Sequence, residues 1–429
     1  MEAIDSMSSN SRSEVHTLAN GLRVVLVPCE ADSVAVGVFI ASGSRHEPPR
    51  FAGISHLIEH MLFKGTPTRR AIDISREIEG RGGRFNAMTS EESTIYYAHM
   101  PDDCLSDAID VLSDMYLRAT VSDDEFDREK RVVIEEIRMY ADEPDSVAME
   151  NLQRALFKGS TLGEPIAGTP ESLAPLRAAD LRRYIHSHYR ADNTIIGVAG
   201  SFDSGEALAL VERAFRPLKR AKSQAAAALP RLPRHTPSLV SVEKDVQQTQ
   251  LALGFRTFGI SDPRRYAMTV VDAVLGRGMS SRLFQEVREK RGFSYDIASR
   301  VTFFEDAGMF TVSAGLDPAK AERVVATIDK ELVRICERRV SPAELRRTKD
   351  FLIGNFKLSH ESVMGKLLFY GSMMLSFGRD SSPAEQIAGI RAVTAEDVQA
   401  VARAVLSPKG RSVSWVVPRG VQTGKGTRP

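Results

Sequence analysis

The chain reads as an α+β protein of two homologous domains, each a mainly antiparallel β-sheet with helices packed on one face. Three observations lead there. Strand-forming runs are segregated from long helical periods; the order strands, helices, final strand occurs twice; and the two occurrences flank a basic, Ala- and Pro-rich stretch without amphipathic period, Arg216 to Pro237. A chain of 429 residues is also too long for one hydrophobic core. The expected division is residues 1–215, a linker over 216–237, and 238–429.

In chain order, Leu18 to Val27 alternates around an Asn20-Gly21 turn, and Ser33 to Ala41 continues the strand pattern. Helical periods follow at 54–63 and 71–80, then a hairpin of Phe85–Thr89 and Thr94–His99, then helical periods at 102–118 and 123–140. Val121-Ser122 and, in the second half, Val340-Ser341 both precede an acidic first turn, a helix start signal. Ala179-Asp180 and Glu396-Asp397 open similar late helices, each leading to an apolar strand, Thr194–Ala199 and Ser412–Val417. Such parallel order points to duplication.

Composition narrows the function classes. Apolar content of 42% and charged content of 26% are those of a soluble globular protein, and a net charge of +1 implies no nucleic-acid partner. Cys29, Cys104 and Cys336 are odd in number and far apart, which argues for thiols in place of a disulfide framework. Met1 to Glu14 has no apolar core of a signal peptide, and its acids argue against a transit peptide. With no apolar stretch of about eighteen residues to span a membrane, the expected location is bacterial cytoplasm.

The chemistry sits in Ile54-Ser-His-Leu-Ile-Glu-His-Met-Leu-Phe63. Burying two imidazoles and a carboxylate in so apolar a helix costs several kcal/mol unless something satisfies them. A metal does so. His56 and His60 lie one helical turn apart on one face, where their ring nitrogens converge on a single zinc ion, and Glu59 lines the same side, free to act as base. This is the H-x-x-E-H order of zinc-dependent peptide hydrolysis.

Zinc needs a third protein ligand, with the fourth position left for water. The charged helix 123–140 offers adjacent Glu135 and Glu136. Arg128, Arg131, Glu135, Arg138 and Asp142 form a polar stripe expected to face solvent, whereas Glu129, Val132, Val133, Glu136 and Tyr140 form the opposite stripe. Glu136 is therefore the expected ligand. Glu129 lies two turns away, about 10.5 Å along the axis, too far to share the ion. It reads either as a group orienting a ligand or as an interior ion-pair partner.

Together these residues resemble the inverzincin zinc metallopeptidases, the family of pitrilysin, insulin-degrading enzyme and the mitochondrial processing peptidase, in its half-length bacterial form. The resemblance rests on His56-Leu-Ile-Glu-His-Met-Leu-Phe-Lys-Gly-Thr66, on Glu129 and Glu136, on Phe85-Asn-Ala-Met-Thr-Ser90, and in the second half on Gly276-Arg-Gly-Met-Ser-Ser-Arg-Leu-Phe284 and Val287-Arg-Glu-Lys-Arg-Gly-Phe-Ser-Tyr295. It implies zinc on His56, His60 and Glu136, Glu59 as general base, and Glu129 in support. It further implies that Asn86 and Ala87 lie on an exposed strand to which a peptide adds as an extra strand. Arg288 and Tyr295 match the pair that contacts substrate and steadies the tetrahedral intermediate. Without the resemblance, Arg288 reads as a solvated helix charge and Tyr295 as core.

The second half departs where it matters. In the repeat alignment Glu136 faces Asn355 and Glu129 faces Thr348, and H-x-x-E-H does not recur, so one zinc per chain is expected. The family closes its cleft with four repeats and this chain has two, which implies a homodimer, or a heterodimer with another half-length member. Arg288 and Tyr295 would then act in trans. The acidic pair by which processing peptidases recognise arginine falls at Ser146 and Glu150, where one acid remains; strict presequence cleavage is not expected. The expected function is a zinc endopeptidase acting on peptides or unfolded segments in a closed chamber. The alternatives are a non-catalytic or regulatory subunit and a metal-dependent hydrolase of other substrates.

Overall fold

A computed structural model describes residues 13–219, 229–379 and 381–420. The Met1–Glu14 segment lies almost wholly outside these residues, as does the centre of the 216–237 linker. The first sheet has the strand order β1-β2-β6-β3-β5-β4, with β1 at Glu14–Thr17, β2 at Arg23–Pro28, β3 at Ser33–Ile40, β4 at Arg84–Thr89, β5 at Thr94–Pro101 and β6 at Thr194–Gly200. Only β2 and β6 pair in parallel. The second sheet has the order β7-β11-β8-β10-β9, formed by Leu239–Lys244, Thr249–Phe258, Ser294–Phe303, Ala307–Leu316 and Arg411–Pro418 as β7 to β11, again with one parallel pair, β7 with β11. Read from β2 and from β7, the two orders are the same permutation, so the duplication seen in the sequence is a duplication of topology.

One face of the first sheet carries α1 (Ile54–Leu62), α2 (Ala71–Glu79), α3 (Leu105–Arg118), α4 (Asp123–Asp142), α6 (Ala178–His188) and α7 (Ser204–Phe215). Val24, Leu26, Val34, Val36, Val38 and Ile40 alternate toward that face and meet Leu57, Ile58, Met61, Ile109, Leu112, Val133 and Val211 in one core. The opposite face is also covered. Val25, Val27, Ala35, Phe39 and Ile195 point there and pack on α11 (Val363–Phe377), a helix from the second half of the sequence. Gly37, Gly197 and Gly371 clear the ring of Phe39, since a Cβ on any of them would approach it to 2.7, 3.1 or 2.2 Å.

The exchange is reciprocal. In the second unit α8 (Arg265–Gly276), α9 (Ala321–Glu337), α10 (Pro342–Glu361) and α13 (Ala395–Val405, after α12 at Pro383–Ala392) lie in the main core. The other face takes α5 (Pro144–Leu156) from the first half, through Ala148, Leu152 and Leu156 against Ala252, Met309 and Val416. The compact units are accordingly 1–137 with 165–230 and 357–384, and 138–164 with 231–356 and 385–429. The expected division at 216–237 holds one of the chain's passages between units and misses the other four. Strand alternation explains the miss: each sheet has apolar side chains on both faces, and one half of the chain supplies helices for only one of them.

Cys104 is buried, while Cys29 and Cys336 are half-buried; all three are free. Among the described residues no helix is long and apolar enough to cross a membrane.

Candidate metal centre

In α1 the residues Ile54, Ser55, Leu57, Ile58, Met61 and Leu62 are buried. That leaves His56, Glu59 and His60 on one half-buried stripe, as helical spacing requires. The helix starts at Gly53, which holds φ 93°. A side chain there would be strained, and its Cβ would meet the Ala167 carbonyl at 2.5 Å.

On α4 the inward stripe is Phe126, Glu129 and Val133, and Glu136 lies beside it, half-buried. Arg128, Arg131, Glu135, Arg138 and Asp142 are exposed, as their stripe predicts. Val132 and Tyr140, expected inward with Glu136, are instead 48% and 45% exposed. Val132 is turned about 100° from the centre of the buried stripe at Val133, and Tyr140 sits in the last turn, beyond the residues packed in the first unit.

His56, His60 and Glu136 offer one ligand atom each, all within 4.8 Å of one another. The Glu136 Oε2 is 3.8 Å from His56 Nε2 and 3.4 Å from His60 Nε2. Tetrahedral zinc bonds of about 2.1 Å imply ligand separations of about 3.4 Å, so the Glu136 oxygen stands near its bound spacing from both imidazoles. Their chemistry fits as well. Burial, helped by the neighbouring His60, holds the His56 imidazole down at about 4, which leaves it neutral with a lone pair to give. Among the described residues this is the one cluster of three or more potential ligands.

Glu129 is 6% exposed and has two partners. Its Oε2 accepts from His60 Nδ1 at 3.2 Å, and its Oε1 accepts from Lys64 Nζ at 2.6 Å. The first contact directs the Nδ1–H of His60 to Glu129 and leaves Nε2 on the side of Glu136. The second compensates the buried charge. Lys64 lies four residues beyond His60, a spacing that puts it on the same face, but no motif in the sequence gives it a role.

Glu59 faces β4, where the Thr89 hydroxyl donates to its Oε2. Burial raises the Glu59 carboxyl above its ordinary value, opposed by hydrogen bonds from Thr89. A carboxylate made more basic suits proton abstraction. Thr89 closes the Phe85–Ser90 motif, and only its place on a strand beside α1 reveals its role.

β4 is the edge strand of its sheet, as the resemblance implies for Asn86 and Ala87. Asn86 is exposed and Ala87 half-buried, and they pair with Tyr97 and Tyr96 on the inner side. The Ala87 N–H turns outward, where the Asn86 side chain accepts from it at 2.8 Å.

In the second unit Arg288 and Tyr295 are brought together. The Arg288 guanidinium lies 5.0 Å from the centroid of the Tyr295 ring and 4.8 Å from that of Phe284. Tyr295 is 78% exposed on β9, the edge strand of the second sheet, so its reading as core is set aside. Asn355 bonds the Phe351 carbonyl within its own helix, and Thr348 is buried. Ser146 donates to Glu143 and Glu150 pairs with Arg154.

The profile described as "Insulinase (Peptidase family M16)" matches residues 23–170, and that described as "Peptidase M16 inactive domain" matches residues 175–352. The chain is 38% identical over 409 residues to the uncharacterized zinc protease YmxG of Bacillus subtilis, covering 93% of this chain and 99% of that protein. It is 36% identical over 396 residues to the uncharacterized zinc protease SCO5738 of Streptomyces coelicolor, covering 91% and 86%. The crystal structure of a protease from Helicobacter pylori shares the fold at a TM-score of 0.91 and 23% identity, covering 95% of this chain and 100% of that one. Matches of this length and identity, on a chain whose two sheets repeat one topology, carry the assignment: the protein belongs to the insulinase family of peptidases, M16.

Proposed function

We propose that this chain is a zinc-dependent endopeptidase that cleaves peptides or unfolded segments docked as an added strand on β4. The observation that carries the reading is the joint geometry of His56, His60 and Glu136, with Glu129 on the far nitrogen of His60. When bound, one zinc ion per chain supplies Lewis acidity, acidifying a water and polarising the scissile carbonyl. Glu59 takes the proton of the attacking water and later delivers it to the leaving amine, with Thr89 holding the carboxylate in line. The outward N–H and C=O groups of β4 register the substrate backbone through bonds indifferent to its sequence. Arg288 and Tyr295 donate toward the developing oxyanion, from the second unit of a partner chain, a copy or another half-length member that completes the chamber.

The test is zinc content and cleavage of a quenched peptide library by the purified chain beside Glu59→Gln. Zinc near one per chain, with cleavage lost in the variant, is expected. Zinc bound without cleavage would favour a non-catalytic subunit, a missing partner or another substrate class, and no zinc would overturn the metal assignment.

A further inference from the structure

The two ligand histidines are supported unequally. His60 is held through Nδ1 by Glu129, whereas the Nδ1 of His56 is buried with no hydrogen-bond partner. The His56 ring rests edge-on against that of His60, with centroids 4.8 Å apart, but no hydrogen bond holds its far nitrogen, so the backbone of the first turn of α1 has a large share in aiming it. That turn has no cap of its own, since Gly53 offers no side chain. Glu47 stands in from outside the helix. Its Oε2 accepts from the Gly53 N–H and its Oε1 from the Ser55 N–H, both at 2.7 Å, and the residue is 5% exposed. Ser55 directly precedes His56. Both oxygens of one buried carboxylate thus fix two of the N–H groups that a helix start leaves unpaired.

Glu47 is itself anchored. The Ser44 and Arg45 N–H groups donate to the carbonyls of Ser90 and Glu91 at 3.2 and 2.7 Å, and the buried Arg45 side chain pairs with Glu92. Residues 90–93 form the turn that follows β4. Gly43 lies so close to this turn that a Cβ would meet the Ser90 carbonyl at 2.2 Å. One short segment, 43–47, therefore grips the turn after the edge strand through Ser44 and Arg45 and the start of the metal helix through Glu47.

We propose that Glu47 is a positioning residue of the metal centre, setting through the first turn of α1 the aim of His56 and its register with β4. The inference rests on the zinc reading above. Groups that orient a ligand typically change metal affinity about 10- to 100-fold when replaced, and an amide in place of the carboxylate can accept only one of the two N–H groups and opposes the other.

The experiment measures zinc affinity of the full chain by competition with a chromophoric chelator, and the visible spectrum of its cobalt(II) form, for the unaltered protein, Glu47→Gln, Glu47→Asp and Asp272→Asn. Asp272 is a fully buried carboxylate of the second unit and controls for loss of any buried acid. Circular dichroism reports the folded fraction. Expected is zinc affinity weakened roughly 10- to 100-fold in folded Glu47→Gln, an altered cobalt spectrum, and no change in Asp272→Asn. Should Glu47→Gln fail to fold, Glu47→Asp, which keeps the charge and loses the reach, carries the same comparison. A folded Glu47 variant with unaltered affinity and spectrum overturns the inference, as does equal weakening in Asp272→Asn. An unaltered chain that binds no zinc overturns the zinc reading instead, which separates the two failures.

Discussion

His60 Nδ1 lies 3.2 Å from Glu129 Oε2, while Lys64 Nζ lies 2.6 Å from the other oxygen of the same carboxylate. The three groups form a chain from the face of α1 into α4, and each link depends on the next. Lys64 pairs with the buried Glu129, and Glu129 in turn meets the ring of His60.

Replacing Glu129 by Gln keeps the shape and removes the charge. Zinc affinity is expected to fall roughly 10- to 100-fold with little loss of fold, read by chelator competition. Lys64→Met leaves the carboxylate buried without its cation and lowers stability by about 1–3 kcal/mol, read as a lower denaturant midpoint. Adding Glu129→Gln to Lys64→Met should recover part of that stability; a doubly altered chain weaker than Lys64→Met would contradict the dependence.

Thr89→Val removes the hydroxyl that donates to Glu59. Burial already raises the Glu59 carboxyl and the Thr89 bond opposes it, so the variant carboxyl rises further and is protonated at a higher pH. The acid limb of the kcat/KM profile moves to higher pH while the alkaline limb stays in place. An unmoved acid limb would mean that Glu59 is not the base.

Asp114 is fully buried and accepts from Thr66, Thr68, Arg69 and Arg118. Burial alone would raise its carboxyl, but the hydrogen bonds from Arg69, Thr66, Arg118 and Thr68 prevail and hold it below the ordinary value. A depressed folded value gives stability that is present above the unfolded pKa near 3.9 and lost as pH falls through the folded one. Asp114→Asn is expected to cost about 3 kcal/mol at pH 7, with the gap from the unaltered protein closing below about pH 4. A gap that stays constant with pH would show that the charge contributes nothing.

Arg288 over the Tyr295 ring is a stacked geometry that guanidinium makes better than ammonium. Arg288→Ala and Glu59→Gln are each expected to be inactive alone. If the pair acts in trans, mixing the two under subunit exchange restores part of the activity through sites that combine an intact Glu59 with an intact Arg288. No recovery despite demonstrated exchange would count against action in trans.

Much of the site was legible because its parts are local or periodic. The His56, Glu59 and His60 stripe follows from helical spacing, the inward placing of Glu136 from the stripe opposite the charged face of its helix, and the hairpin that holds Asn86 and Ala87 from strand alternation. The repeat sets Glu136 against Asn355, which gives the expectation of one ligand set per chain. Contacts between distant segments carried no such period. Nothing in Gly43 to Glu47 marks it as the cap of a helix that begins at Ile54, and Thr89 differs from its strand neighbours only by facing Glu59.

By itself the sequence determined the two α+β repeats, the His56, Glu59 and His60 stripe and the inward placing of Glu136 against the exposed Glu135, because apolar and polar side chains segregate at periods each element imposes on itself. Only the tertiary structure decided that α5 and α11 cross to the opposite units, that Val132 and Tyr140 lie exposed, and that Lys64, Thr89 and Glu47 meet Glu129, Glu59 and the start of α1. Those outcomes depend on which surfaces meet once the sheets are covered, and burial and hydrogen bonding there are satisfied by whichever segment reaches, however far away in the chain.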